Sequence, residues 1–158
     1  MNATTEQVYI TYEFNAPIKM VFEAWTQPEQ LLQWFAPTGC GLKFESIDVR
    51  KGGSFHSCIS NPEFGDCWCK GTYLEIDYPN RLVFTMEVAD VMGNTISAID
   101  AGMDAEWPDT TTVDVTFTEN NGKTTIVLRQ TVSETLAKKT GAHPSWILML
   151  NRLQELLK

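Results

Sequence analysis

The chain has 158 residues, 43% hydrophobic and 11% aromatic, with 20 acidic against 12 basic side chains and a formal net charge of −8. A length near ~150 residues fits a single domain over residues 1–158, which buries roughly 70% of its unfolded surface and needs no staple. The apolar fraction excludes disorder, and the negative charge excludes nucleic acid and an anionic membrane surface as partners, since both reward a positive face.

The opening MNATTEQVYITYEF lacks a basic n-region and an apolar h-region, so no secretory signal is expected and the protein reads as cytoplasmic. Apolar runs are broken by charge or turn residues well short of the ~20 positions of a membrane span. In VYITYEF, Val8, Ile10, Tyr12 and Phe14 alternate with Tyr9, Thr11 and Glu13, the period of a half-buried strand. Asn15 is a candidate N-cap, and Pro17 suits a first helical turn. Val21, Phe22 and Trp25 then fall at helical spacing, and PEQLLQWF starts a second short helix with Leu31, Trp34 and Phe35 inward, ended by Pro37 and Gly39.

From Leu42 the pattern is strand after strand: LKFESIDV, a Gly52-Gly53 turn, SFHSCIS, a turn over Asn61–Gly65, DCWCKGTYLEID, a Tyr78-Pro79-Asn80 turn and RLVFTMEV. Residues 90–109 carry Asp100, Asp104, Glu106 and Asp109 and read as a solvated loop. TTTVDVTF and TTIVLRQTV form a hairpin across Asn121-Gly122, a strong turn signal. Ser133-Glu134 opens a short helical segment that Gly141 and Pro144 interrupt. A last helix follows over 145–158, about 21 Å long, with Trp146, Leu150, Leu153 and Leu157 on one stripe. So broad an apolar stripe requires an apolar surface, and the inner face of the sheet is the large one available. The predicted fold is α+β: two short helices after the first strand, then a curved antiparallel sheet wrapped around a long C-terminal helix.

APIKMVFEAWTQPEQLLQWFAP, DVRKGGSF, GTYLEIDYPNRLVFT, TTVDVTFTENNGKTTIVLRQT and the closing Trp-rich helix occur in that order. This arrangement resembles the family of activator-of-heat-shock-protein-ATPase homologues within the START-like or SRPBCC superfamily of helix-grip domains, over about Val8 to Leu157. The family pattern often has Gly before the C-terminal Trp, where this chain has Ser145, and His143-Pro144 is expected to shorten the last helix. The resemblance implies a cavity between sheet and helix, not a reaction: relatives bind lipids, hormones or polyketides, and some are cyclases. Eukaryotic family members stimulate a chaperone ATPase but carry a further N-terminal domain, for which 158 residues leave no room.

The period-two reading turns Phe84, Met86, Val115, Phe117, Ile126, Leu128 and Gln130 inward from the strands, with Trp146 and Leu150 from the helix. These side chains either fill an ordinary core or line a pocket. Trp68 is ambiguous, because Gly71 is a candidate bulge that would flip the register. If the turn pairs Ser60 with Gly65, then His56, Cys58, Cys67 and Cys69 share one face, a Cys₃His set of the kind that binds zinc. The C-x-C spacing and the flatness of a strand face oppose a tetrahedral site, so no metal is expected and these cysteines, with Cys40, read as reduced thiols. A cross-strand Cys58–Cys67 disulfide is the oxidised alternative. Asp48 and Arg50 read as an ion pair at a strand end, and His143 as a surface or capping residue.

No nucleophile elbow, phosphate-binding loop or H-E-x-x-H helix is present, so neither a catalytic residue nor a cofactor is expected. The leading expectation is a domain that binds a hydrophobic small molecule. The alternatives are a co-chaperone-like interaction module, with a chaperone as partner, and a cyclase. The last requires Asp48, Glu75 or His56 to be buried in the cavity. Monomer and homodimer remain open.

Overall fold

The alternation of the first strand is the start of the core: Val8, Ile10 and Phe14 are buried while Gln7, Tyr9, Thr11 and Glu13 face outward. The computed structural model describes residues 6–63 and 65–157; residues 1–5, Phe64 and Lys158, read above as chain start, turn and helix end, lie outside the described residues. The elements run β1 (Gln7–Phe14), α1 (Ile18–Thr26), α2 (Pro28–Trp34), β2 (Gly41–Ile47), β3 (Ser54–Asn61), β4 (Gly65–Asp77), β5 (Arg81–Ala89), β6 (Thr110–Asn120), β7 (Lys123–Ser133), α3 (Glu134–Thr140) and α4 (Ala142–Leu156). All strands join one antiparallel sheet in the order β1-β7-β6-β5-β4-β3-β2. The α1–α2 pair thus carries the chain from one sheet edge to the other, and the meander returns to pair β7 with β1.

The α+β architecture with a curved sheet and a terminal helix is the expected one, with three local differences. Asn15 does not cap α1. Its backbone N–H donates to Gln154 Oε1, and the helix start is instead served by Glu119 of β6, whose Oε1 accepts from the Ile18 N–H at 2.7 Å. A carboxylate at a helix N-terminus answers both an orphan donor and the helix dipole. Secondly, Pro144 does not interrupt or shorten the last helix. That helix begins at Ala142, after Gly141 at φ 91°, so Pro144 falls in its first turn, where a missing N–H costs nothing. Ser133 caps α3, accepting from the Leu136 N–H.

The third difference is register. Gly65, at φ 87°, pairs with Asn61 rather than Ser60, so β4 is displaced by one residue from the expected pairing. A one-residue displacement sends every side chain to the other face. Cys58 therefore faces Trp68 and His56 faces Lys70 on one side, while Cys67 pairs with Ile59 and Cys69 with Ser57 on the other. The β4–β5 bulge lies between Tyr73 and Glu75, not at Gly71. Gly71 is needed for close approach: a Cβ there would lie 1.9 Å from the Thr85 carbonyl oxygen and 2.6 Å from the Phe55 ring. In the β6–β7 turn, Asn121 (φ 56°) and Gly122 (φ 78°) are both left-handed, as a two-residue hairpin requires.

The core lies between the concave sheet face and the helices. Leu150 and Leu153 of α4 are fully buried, against Val113 and Val115 of β6 and Ile126 and Leu128 of β7 in one cluster. Polar ties fix the helix at both sides: Tyr12 donates to Asn151 Oδ1 at 2.6 Å, Gln154 Nε2 to the Glu13 carbonyl, and Arg152 Nη1 to the Ala36 carbonyl at 2.6 Å. No helix among the described residues is long and apolar enough to cross a membrane.

The Gly71 contact gives a direct test. Gly71→Ala should destabilise the protein by about 3 kcal/mol or more, because backbone cannot yield as a flexible side chain can. Urea denaturation measures this, and a change under about 1 kcal/mol would show that β4 and β5 are not this close.

Candidate functional site

The concave face is packed along the C-terminal half of α4 and open along its N-terminal half. There the sheet and helix separate around a cavity of about 440 Å³. Ile59, Cys67, Met86 and Gln130 line it from the strands, and Ala142, Ser145, Trp146 and Met149 from α4. The segment after α2 adds Phe35, Pro37 and Cys40, and the 90–109 loop folds back to place Met103 and Trp107 at the rim. Among the described residues Asp66 is the one charged residue in this lining. The loop is held by an ion pair between Asp104 and Lys139 of α3 (3.4 Å) and by Asp109, whose Oδ1 accepts from the Ala98 N–H. The Glu106 N–H and Lys139 together hold the Asp104 carboxyl below its ordinary range.

One buried polar chain crosses from helix to sheet. Trp146 Nε1 donates to Gln130 Oε1 at 2.9 Å, and Gln130 Nε2 donates to Thr111 Oγ1 at 3.0 Å. All three residues are buried. Gln130 is therefore a clamp that orients the Trp146 ring over the cavity, and its carbonyl and amide are already engaged. Trp146 in turn stacks on Trp25, centroids 6.2 Å apart, and meets Phe35 edge-on at 5.9 Å.

The inward-facing residues of the sequence reading divide into three groups. Met86, Gln130 and Trp146 border the open cavity. Phe84 borders a separate small void instead. Val115, Phe117, Ile126, Leu128 and Leu150 are at most 4% exposed and lie in the filled core, Phe117 under the Phe22 and Trp25 rings of α1. The reading missed Ile59 and Cys67, which follow from the register, and the loop residues Met103 and Trp107. The apolar residues scattered among the acidic ones of this loop, Met103 and Trp107 included, were the available signal. The loop is not solvated throughout: Ala98 is buried and Trp107 packs on the core.

The Cys₃His set does not assemble. His56 and Cys58 lie on the face opposite Cys67 and Cys69, and the register also excludes a Cys58–Cys67 disulfide; all four cysteines are free. Among the described residues no group of three or more His, Cys, Asp or Glu side chains is placed to hold a metal ion. Burial, and then the neighbouring Cys67, pushes the Cys69 thiol up to about 12; burial, and then Cys58, raises Cys67 as well. Neither is a ready thiolate. His56 Nε2 lies 3.1 Å from the Asp90 carbonyl oxygen, beside the Trp68 ring, over which Lys43 also sits. Asp48 pairs with Arg50 at 2.7 Å on the surface, and Glu75 is half-exposed beside Arg81. None of Asp48, Glu75 and His56 lines the open cavity.

The clamp predicts that Gln130→Leu costs about 2 kcal/mol, the scale of a buried indole donor left unpaired. Gln130→Glu should recover part of the loss only at a pH low enough to protonate the buried carboxyl, which then accepts from Trp146 and donates to Thr111. Equal stability of Gln130→Leu and the unsubstituted protein in urea would contradict the clamp.

No curated protein matches the sequence significantly. The fold is shared with a protein from Arthrobacter aurescens solved by NMR (TM-score 0.82, 18% identity, covering 99% of this chain and 88% of that one). It is also shared with an NMR structure from Staphylococcus epidermidis (TM-score 0.80, 26% identity, 99% and 92%). A crystal structure of an AHSA1 protein from Silicibacter pomeroyi is similar too (TM-score 0.74, 18% identity, 96% and 97%). The family model described as "Activator of Hsp90 ATPase homolog 1-like protein" matches residues 15–158. The chain belongs to that family.

Proposed function

We propose that the protein binds a neutral, largely apolar small molecule in the cavity between the sheet and α4, with no dedicated chemistry of its own. The observation that carries this reading is the cavity. Its volume of about 440 Å³ falls within the ~300–1,000 Å³ range of small-molecule sites, and its walls are mainly apolar with a few polar groups. Burial of ligand surface would supply the affinity, at ~25 cal/mol per Å² removed from water. With Asp66 as the charged group in the lining and no Lys, Arg or His among the described lining residues, an anionic headgroup meets no counter-charge from them. That favours sterol-like, flavonoid-like or polyketide-like compounds over fatty acids.

The cyclase alternative depended on a buried ionisable group facing the ligand, and the three residues it named lie elsewhere. The co-chaperone reading has the family description behind it, and no surface feature described above is specific to it. A measured change in the ATPase turnover of an Hsp90-type chaperone would favour it.

A thermal-shift screen against fatty acids, flavonoids, sterols and polyketide-like aromatics tests the binding reading. A ligand present at a hundredfold its Kd contributes about 2.7 kcal/mol, or roughly 5–10 °C in Tm for a domain of this size. Met86→Trp, which fills the cavity from the sheet, should keep the fold and abolish that shift. No stabilising compound, or hits that survive Met86→Trp unchanged, would overturn the reading.

A further inference from the structure

Five methionines lie among the described residues, and they divide by place. Met20 and Met92 are exposed, at 45% and 79%. The other three, Met86, Met103 and Met149, all line the open cavity, and they reach it from β5, the 90–109 loop and α4. Where sheet and helix meet, the core is built from Val113, Val115, Ile126, Leu128, Leu150 and Leu153, branched aliphatic side chains with well-defined rotamers.

Aromatic rings share the cavity walls with these thioethers. On α4, Trp146 and Met149 are three positions apart and so occupy one helix face. On the loop, Met103 and Trp107 stand together at the rim. Phe35 adds a ring from the segment after α2, 5.9 Å from that of Trp146. The helix wall and the loop wall thus each carry one indole and one thioether, and the sheet adds a third thioether. The Trp146 ring is held in place by its N–H bond to Gln130.

A thioether is unbranched and polarisable, so it adapts to the outline of a guest and is attracted to an aromatic ring about 5 Å away. Aromatic pairs likewise gain beyond the area they bury. A saturated ring of the same size collects the burial and neither of these contributions. We propose that the cavity selects an aromatic over a saturated ligand body, and that Met86, Met103 and Met149 determine this selectivity. The proposal rests on the binding reading above and narrows it. Of the neutral classes considered there, it takes the flavonoid-like and polyketide-like aromatics and leaves out the sterols.

The test compares 2-naphthalenemethanol with its fully hydrogenated counterpart, decahydronaphthalene-2-methanol. Both are neutral, share one carbon skeleton and carry the same alcohol. Water solvates an aromatic face better than a saturated one, so transfer from water alone favours the hydrogenated compound. The proposal predicts the reverse by calorimetry, with the aromatic alcohol about tenfold tighter, from ring and thioether contacts added together. Met86→Leu and Met149→Leu conserve volume and apolarity. Each should lower the preference about threefold and leave the saturated alcohol's affinity unchanged, whereas a change of cavity shape would move both affinities. If either variant does not fold, Met103→Leu at the rim and the unsubstituted protein's preference decide. Equal affinities, tighter binding of the saturated alcohol, or a preference that survives the substitutions overturns the proposal while the cavity reading stands. If neither alcohol binds although the wider screen gives ligands, the selectivity fails alone; if that screen is empty too, both fail.

Discussion

The structure depends on covering one helix. The terminal helix α4 carries Trp146, Met149, Leu150 and Leu153 on a single face, and each is at most 6% exposed. Burying side chains of this size is worth roughly 1.5–3 kcal/mol each, an upper bound because an unfolded chain already hides part of its surface. A flat sheet would cover such a face only along a line. The seven-stranded sheet instead presents a concave surface whose inward residues are the alternate members of each strand. Where α4 approaches closely, Leu150 and Leu153 close the core. Toward its N-terminus the larger Trp146 and Met149 stand off the sheet, and the open space begins there.

The polar groups sit where this arrangement needs them. Trp146, which lines the open part, is fixed by Gln130 and Thr111, so the cavity wall does not rely on shape alone. Asn151, Arg152 and Gln154 tie the other half of the helix to β1 and to the segment after α2. With those groups committed to structure, the cavity holds few side chains able to transfer a proton. Of its two thiols, Cys40 and Cys67, the second is raised by burial rather than lowered toward the thiolate.

Much of this was legible in the sequence. Period-two alternation in β1, β5, β6 and β7 and the stripe of α4 are strong signals, because a buried face imposes them on every second or every third-to-fourth residue. The identity of the site was not legible to the same degree. Register across Asn61–Gly65 hinged on whether one glycine paired inside the ladder, and that single step exchanged the faces of Cys67 and Cys69 with those of Trp68 and Lys70. Alternation also marks Leu128 and Met86 as equally inward; what separates core from cavity is the distance to α4, set by tertiary packing. Similarly, nothing local distinguishes Trp34, which donates to the Ala24 carbonyl, from Trp25, whose Nε1 has no partner among the described residues. The partner of an indole N–H is a matter of three dimensions. Glu119 as the acceptor for the start of α1, 101 positions away, is of the same kind.

The central claim is that the concave face is open beside Trp146 and closed beside Leu150. Methionines report on it: Met86, Met103 and Met149 line the open part, and Met20 is exposed outside it. Xenon, which enters apolar cavities, can be applied under pressure to protein labelled with ¹³C in its methionine methyl groups. The account predicts saturable shifts at Met86, Met103 and Met149, with Met20 unmoved. Shifts that are absent from those three, or equal at all methionines, would mean that the face is filled and would contradict it.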